Sequence, residues 1–493
     1  MYKINRQISL AEFMSPFGKL DPENRWVKIA NMIPWEKYEP EYAKQFCDDN
    51  GTPAIPFRMA LGTLIIRQRT GHSDVETLQA IIETPYMQYL IGLTEYTTEA
   101  PFCSSSITNF RKYIPQELLN KINDEVFNPP RSKKDDNDKS NEPPNTTDEP
   151  NDEPSSGEAP ENEGELLLDA TCAPADIAYP TDVNLLNEAR KKLEKTIDTL
   201  HLYTRSCKKP RTYRQKARKN YLQFVKNRKP RKNAIRKAIG QQLRYVRRDL
   251  GHIDKQLEKV SINILSTRKQ EQLATIRTLY AQQEEMYKNR TRTVENRIVS
   301  ITQPWVRPIV RGKAKTDVEF GAKVSISMVN GYAFVDKIGW EAYSEAGLLK
   351  SSVEAYKGKY GVYPEAVVAD KLYRNRENIT FCKERGIRLS GPKLGRPTKL
   401  SDKQQKKQEQ QDASTRNAVE GKFGEGKTRY GLDRVMARLE NTCETVISLI
   451  FLNANISRKL RFPLLILWML FALCVLCDGI FSPKLKKQFC WGF

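Results

Sequence analysis

Residues 366–370 read AVVAD and residues 166–171 read LLLDAT, two apolar runs long enough for buried strands, which carry the acids Asp370 and Asp169. An acid at the C-terminal end of such a strand points into the crevice where open α/β sheets bind their ligands. A third stretch, RNAVEGKFGEGK at 416–427, spaces Arg416, Glu420, Phe423 and Lys427 four, three and four residues apart. At about 3.6 residues per turn these fall in one stripe on a helical face, about 16 Å long at ~1.5 Å per residue. The three segments together predict an α/β fold whose carboxylates meet in one pocket.

The flanking sequence completes the sheet. EFGAKVSISMVNGYAFVDKIGW (319–340) alternates with a period of two, with Val324, Ile326 and Met328 on one face and Asn330-Gly331 between the runs, which is a hairpin signal. A helix over AGLLKSSVEAYKGKYG, the strand AVVAD, a helix over NRENITFCKERG and the strand IRLSG follow, an order that makes a mixed sheet with helical crossovers. A polar, Lys- and Gln-rich connector from Gly395 to Gln411 leads to the helix of Glu420.

The remainder divides by composition. Residues 1–128 read as a helical N-terminal domain, in which Ser104–Thr108 could cap a helix that lays Arg111 and Lys112 on an exposed side. That face reads as DNA-contacting or as an ordinary solvated surface. Residues 129–165 are Pro, Asn, Ser, Asp and Glu with almost no apolar side chain, too little to offset ordering entropy, and read as an acidic disordered linker. Residues 166–460 form the catalytic domain, and within it 183–300 are helical in pattern and basic, with Leu193, Ile197 and Leu200 marking an amphipathic helix. From Lys208 to Arg248, cations occur on nearly every turn, interleaved with Tyr213, Tyr221, Phe224 and Tyr245: a solvated coil or a phosphate-tracking arm. Residues 461–493 are a hydrophobic C-terminal tail. Its apolar run, Phe462 to Cys477, falls short of the ~17 residues that a bilayer span needs, so it reads as a core or interfacial helix, with membrane anchoring as the alternative.

The chain has 493 residues and a formal charge of +21, a field that gathers polyanions and makes nucleic acid the first candidate partner. The nine cysteines are scattered and no signal-like N-terminal stretch is present, which fits a reducing cytoplasm. Cys474 and Cys477 lack nearby histidine and read as buried thiols rather than a zinc site. Three histidines, far apart in sequence, argue against histidine-based chemistry and leave catalysis to carboxylates. Phosphodiester chemistry at neutral pH needs an activated oxygen nucleophile and a stabilised leaving oxygen. Two Mg²⁺ ions about 3.5–4 Å apart supply both, held by carboxylate oxygens. Glycines at 421, 424, 426 and 431 weaken the Glu420 helix by about 1 kcal/mol each relative to Ala, a cost that close approach of DNA would justify.

DATCAPADIAYPTDVNLLNEAR, VVADKLYRNRENI and RNAVEGKFGEGKTRYGLDRVMARL closely resemble the three signature regions of DDE transposases from bacterial insertion sequences, in the branch called the IS five group. The resemblance runs from the helical N-terminal domain to about Leu460. It implies a ribonuclease-H-like catalytic domain with Asp169 on the first strand, Asp370 after the fourth and Glu420 on a late helix, all three ligating two Mg²⁺, with Mn²⁺ as a substitute. It further implies Arg416 and Lys427 on DNA phosphates, cutting at the element's terminal inverted repeats, joining of 3′-hydroxyls to double-stranded target DNA, a homodimer on DNA and a place at the bacterial nucleoid in the cytoplasm. Relatives carry Tyr-x2-Arg-x3-Glu-x6-Lys around the third acid, whereas the tyrosine position here is Ala413, which leaves a hairpin route of strand release open. The basic helical segment departs from smaller relatives and reads as an insertion between the first strand and the 321–338 hairpin. The alternative is a catalytically inactive DNA-binding protein derived from a transposase, against which the presence of all three acids counts.

Overall fold

In the computed structural model we describe residues 9–15, 18–47, 53–127, 162–204, 208–310, 318–341, 343–391 and 403–477, leaving aside the side chains of 403–406 and 462–477. Apart from residues 162–165, the acidic linker lies outside the described residues, as do residues 478–493 of the tail.

Seven helices come first: α1 (Arg25–Met32), α2 (Trp35–Ala43), α3 (Phe57–Thr70), α4 (Asp74–Glu83), α5 (Pro85–Leu90), α6 (Ser106–Tyr113) and α7 (Gln116–Phe127). Their limits follow local chemistry. Gly71 ends α3 in the left-handed region (φ 73°), Ser73 and Glu76 form a reciprocal cap on α4, and Pro85 separates α4 from α5. The expected cap on α6 is absent: Ser105 stands at the N-cap in helical conformation and its side chain makes no capping bond. Arg111 is also not on a free face, because its guanidinium turns inward to Asp74, which Arg67 holds as well.

Strand β1 (Glu165–Pro174) opens the sheet, and a helical block follows it: α8 (Asp182–Tyr203), α9 (Arg214–Val225), α10 (Lys232–Leu257) and α11 (Thr267–Asn289). This block has a core of its own, built from one stripe each of α8, α10 and α11, in which Leu193, Ile197 and Leu200 are fully buried. The sheet resumes with β2 (Arg307–Val310), β3 (Val318–Val329) and β4 (Tyr332–Gly339). Asn330 and Gly331, both at positive φ, turn β3 into β4 as the Asn-Gly pattern requires. A single 3-10 turn (Glu345–Leu348), α12 (Leu349–Tyr360), β5 (Ala366–Ala369), α13 (Arg376–Glu384) and β6 (Arg388–Leu389) come next.

The sheet is mixed, in the order β2-β3-β1-β5-β6, with β4 on the same edge of β3 as β2. β3 runs antiparallel to β1, β2 and β4, whereas β5 is parallel to β1 and β6 parallel to β5. The short β2 was not foreseen, so Asp370 follows the fifth strand in chain order and not the fourth. Gly321 lies where β1, β2 and β3 pass each other, and a Cβ there would come within 2.1 Å of the Ala173 carbonyl oxygen.

Two long helices close the chain, α14 (Lys403–Tyr430) and α15 (Glu440–Cys477). The expected connector is therefore helical from Lys403 onward. Its run of Lys, Gln and Glu lacks an apolar stripe, but these are good helix formers and they extend the helix that Val419 and Phe423 anchor. The backbone of α15 also continues through the start of the tail. Among the described residues no helix is long and apolar enough to cross a membrane.

Alternation along β1 sorts the core into two layers. Leu166 and Leu168 face a layer shared with α1–α7, α12 and α13, whereas Leu167 and Ala173 face α14 and α15. α15 contributes to both, with Leu449, Leu452 and Ile456 in the first and Ile447, Ile450 and Phe451 in the second, as expected of a helix buried all round. A buried amide network pins this joint. Asn455 Nδ2 donates to Asn123 Oδ1 (2.9 Å) and to the Ala333 carbonyl (2.7 Å), and the Ala333 N–H donates to Asn455 Oδ1 (2.9 Å). Thr445 Oγ1 donates to the Ile114 carbonyl at 3.1 Å.

Candidate active site

Register alone brings the first two acids together. Leu168 pairs with Ala369 across the parallel β1–β5 ladder, so the next residues on the two strands are Asp169 and Asp370. Asp169 shares the face of Leu167 and so points toward α14. Asp370 leaves β5 to cap a 3-10 turn, its Oδ1 accepting the Lys371 N–H at 2.6 Å. α14 crosses the ends of these strands with Val419 and Phe423 packed inward, which turns Glu420, 61% exposed, toward the acids.

All five sequence-predicted residues, Asp169, Asp370, Arg416, Glu420 and Lys427, line one cleft of about 560 Å³. Arg416 spans it, with Nη1 3.3 Å from Asp370 Oδ1 and Nη2 3.5 Å from Glu420 Oε1. Two further lining residues escaped sequence reasoning, Lys323 and Glu345, whose Nζ and Oε1 are 2.8 Å apart. Lys323 lies within an alternating stretch that we read only for its apolar face, and Glu345 immediately precedes a stretch read only as helix. The one signal that could have singled them out is a charge beside each run.

Four carboxylates thus face three cations: Asp169, Glu345, Asp370 and Glu420 against Lys323, Arg416 and Lys427. Burial raises the Asp169 carboxyl above the ordinary range, and Glu345 and Asp370 push it the same way against the Ala170 N–H and Arg416. Among the described residues no group of three or more His, Cys, Asp or Glu stands close enough to hold a metal as placed. The donor set nevertheless fits a hard divalent cation: it is all oxygen, it carries one more negative than positive charge, and Arg416 bridges two of its acids as a counter-charge. The glycines do not fray the helix. Gly421 and Gly424 face open space, Gly424 lines the cleft, and Gly426 lies against Leu432 and Ile450.

Comparison with known proteins bears on the same segments. Residues 367–457, which include Asp370, Arg416, Glu420 and Lys427, match a model described as a transposase DDE domain, and residues 15–113 match one described as a transposase domain (DUF772). The two matches indicate a DDE-type insertion-sequence transposase. This transposase is also similar to "Uncharacterized protein ORF8 in nfe locus" of Rhizobium meliloti, 26% identical over 199 residues, which are 38% of this chain and 83% of that protein. No solved structure matches the chain. The DDE domain match supports a DNA-cleaving and joining enzyme, of a family that generally uses divalent metals.

Proposed function

We propose that this transposase binds the ends of its insertion sequence, cleaves there and joins the freed 3′-hydroxyls to target DNA by two-metal-ion transesterification. The carrying observation is that Asp169, Asp370 and Glu420, distant in sequence, line one cleft through the β1–β5 register and the crossing of α14. The strand order, three antiparallel strands followed by two parallel ones with helical crossovers, supports a ribonuclease-H-like reading. The signature segments support a reading within the IS five group.

The three acids would hold two Mg²⁺ ions, or Mn²⁺ in their place, which when bound activate the attacking oxygen and stabilise the leaving one. Asp169 must be ionised to serve, so its raised pKa delays full charge toward neutral pH. Lys427 and Arg416 hold the non-bridging phosphate oxygens, Arg416 exchanging its carboxylates for the phosphate once other cations neutralise them. Lys323 orients Glu345 at the wall. In cleavage, water adds to phosphorus and the P–O3′ bond breaks, leaving a 3′-hydroxyl. In joining, that hydroxyl oxygen adds to a target phosphorus, which releases a target 3′-oxygen that takes up a proton.

The basic block of α8–α11 is an insertion that tracks DNA phosphates, with Tyr213, 47% exposed, among its cations. The domains are the N-terminal helices to 128, the linker to 165, the catalytic domain to 460 and the tail. We further place the protein at the bacterial nucleoid, as a homodimer bridging two ends. Asp370→Ala should abolish cleavage of element-end DNA while gel-shift affinity stays within a few-fold, and retained cleavage would reject the assignment. Wild-type protein that binds ends but cuts none with Mg²⁺ or Mn²⁺ would favour the inactive derivative.

A further inference from the structure

A second cavity lies on the other side of α14. Glu420 and Arg429 are nine residues apart, which at about 100° per residue puts them on opposite sides of the helix. Arg429 opens into a pocket of about 800 Å³ between α1, α3, α14 and α15. Its wall carries Arg25, Lys28, Arg69, Arg429 and Arg461 against one acid, Glu23, which Lys28 already engages at 2.5 Å, while Arg461 is held by Glu425 beside the pocket. Among the described residues, neither Arg25 nor Arg429 has an ion-pair partner. Arg25 rests over the Trp26 ring at 4.9 Å. Arg69 is fixed from below, its Nη1 donating to Ser457 Oγ at 2.9 Å. Burial lowers the pKa of Arg69, and Arg25 and Arg461 lower it further against the opposing pull of Tyr430 and Glu425.

Converging guanidiniums of this kind repel one another unless an anion joins them, and their planar forks match the oxygens of a phosphate. The pocket belongs neither to the carboxylate cleft nor to the basic insertion. We propose that it holds phosphodiester groups of the DNA backbone, as an anchor on the α14 side remote from the scissile phosphate. This inference rests on the reading of the protein as a DNA-binding transposase.

The test is the salt dependence of affinity for duplex DNA, measured on the full chain. Each phosphate contact contributes about 0.9 to the slope of log K against log salt. The double variant Arg25→Gln/Arg429→Gln should lower that slope by about 1.8, and Arg25→Lys/Arg429→Lys should restore most of it. Lys350→Gln/Lys383→Gln, which removes two exposed charges from α12 and α13, should change it by less than half as much. An unchanged slope in the Gln pair, or an equal fall in the α12/α13 control, overturns the pocket assignment. Inorganic phosphate at millimolar concentration should compete with DNA for the wild type more than for the Gln pair; equal competition also counts against it. If wild-type protein binds no DNA, the failure lies with the proposed function, whereas binding with an unchanged slope sinks the pocket alone.

Discussion

The active cleft and the joint between α15, α7 and β4 meet polar groups in opposite ways. At the joint Asn455, Asn123 and the backbone of Ala333 are buried and answer one another's donors and acceptors. In the cleft, four carboxylates crowd against three cations and the deepest acid is harder to ionise than usual. A satisfied buried network serves stability, whereas crowded carboxylates beside a perturbed acid mark a place for chemistry. Substitutions in the two places should therefore move stability and activity in different directions.

The largest effect should come from Asp169→Asn, which keeps shape but removes charge. Cleavage of end DNA should fall by at least about a hundredfold, the scale for loss of one preorganised electrostatic group. Single-turnover assays check this, and near-normal cleavage would detach the acid from the chemistry. Next, Asn455→Leu strands the Ala333 N–H and Asn123 Oδ1 in an apolar layer, and should cost about 3 kcal/mol in urea unfolding. A loss below about 1 kcal/mol would mean that the amide network contributes little.

Asp74→Ala should cost about 2 kcal/mol, since it leaves Arg67 and Arg111 facing each other without their shared carboxylate. Burial alone would raise the Asp74 carboxyl, but Arg111 and Arg67 outweigh it and hold the group below its ordinary value. Its contribution is accordingly present above the unfolded-state pKa and fades as pH falls through the folded one. The wild-type and Asp74→Ala stabilities should converge in acid; parallel curves would argue against the ion pairs.

The smallest effect has the opposite sign. The folded-state pKa of Asp169 lies above the unfolded one, so its ionised form burdens the fold once pH rises through those values. Without divalent cations, Asp169→Asn should melt slightly higher than wild type at pH 7, with the difference vanishing at a pH well below the unfolded-state value of an ordinary aspartate. A lower melting point at pH 7 would remove the distinction between cleft and joint. Wild-type cleavage should also decline on the acid side at a pH above that of an ordinary aspartate.

How far the sequence could be read depended on the range of the interactions. The hairpin at Asn330-Gly331 is local backbone chemistry, and it formed where the residues said. The acids were legible because apolar runs mark strands and a four-three-four spacing marks a helix face. Lys323 and Glu345 were not, since their pairing depends on a fold that joins residues 22 positions apart through space. β2 was missed because RPIV is too short to show a period. The length of α14 was missed because its first turns have no buried face, so propensity rather than pattern extends them.

The dual allegiance of α15 has a consequence for synthesis. Ile114 and Thr445, bonded in the native protein, are 331 residues apart. At ribosomal rates of ~5–20 residues per second, the amino-terminal helices emerge roughly 15–65 s before the segment that covers their remaining greasy side. Until then they must rely on a chaperone or on provisional self-contacts, so competence for cutting DNA waits for α15 to be synthesised. A nascent enzyme whose α1–α7 wait for α15 is disarmed until that helix has been made.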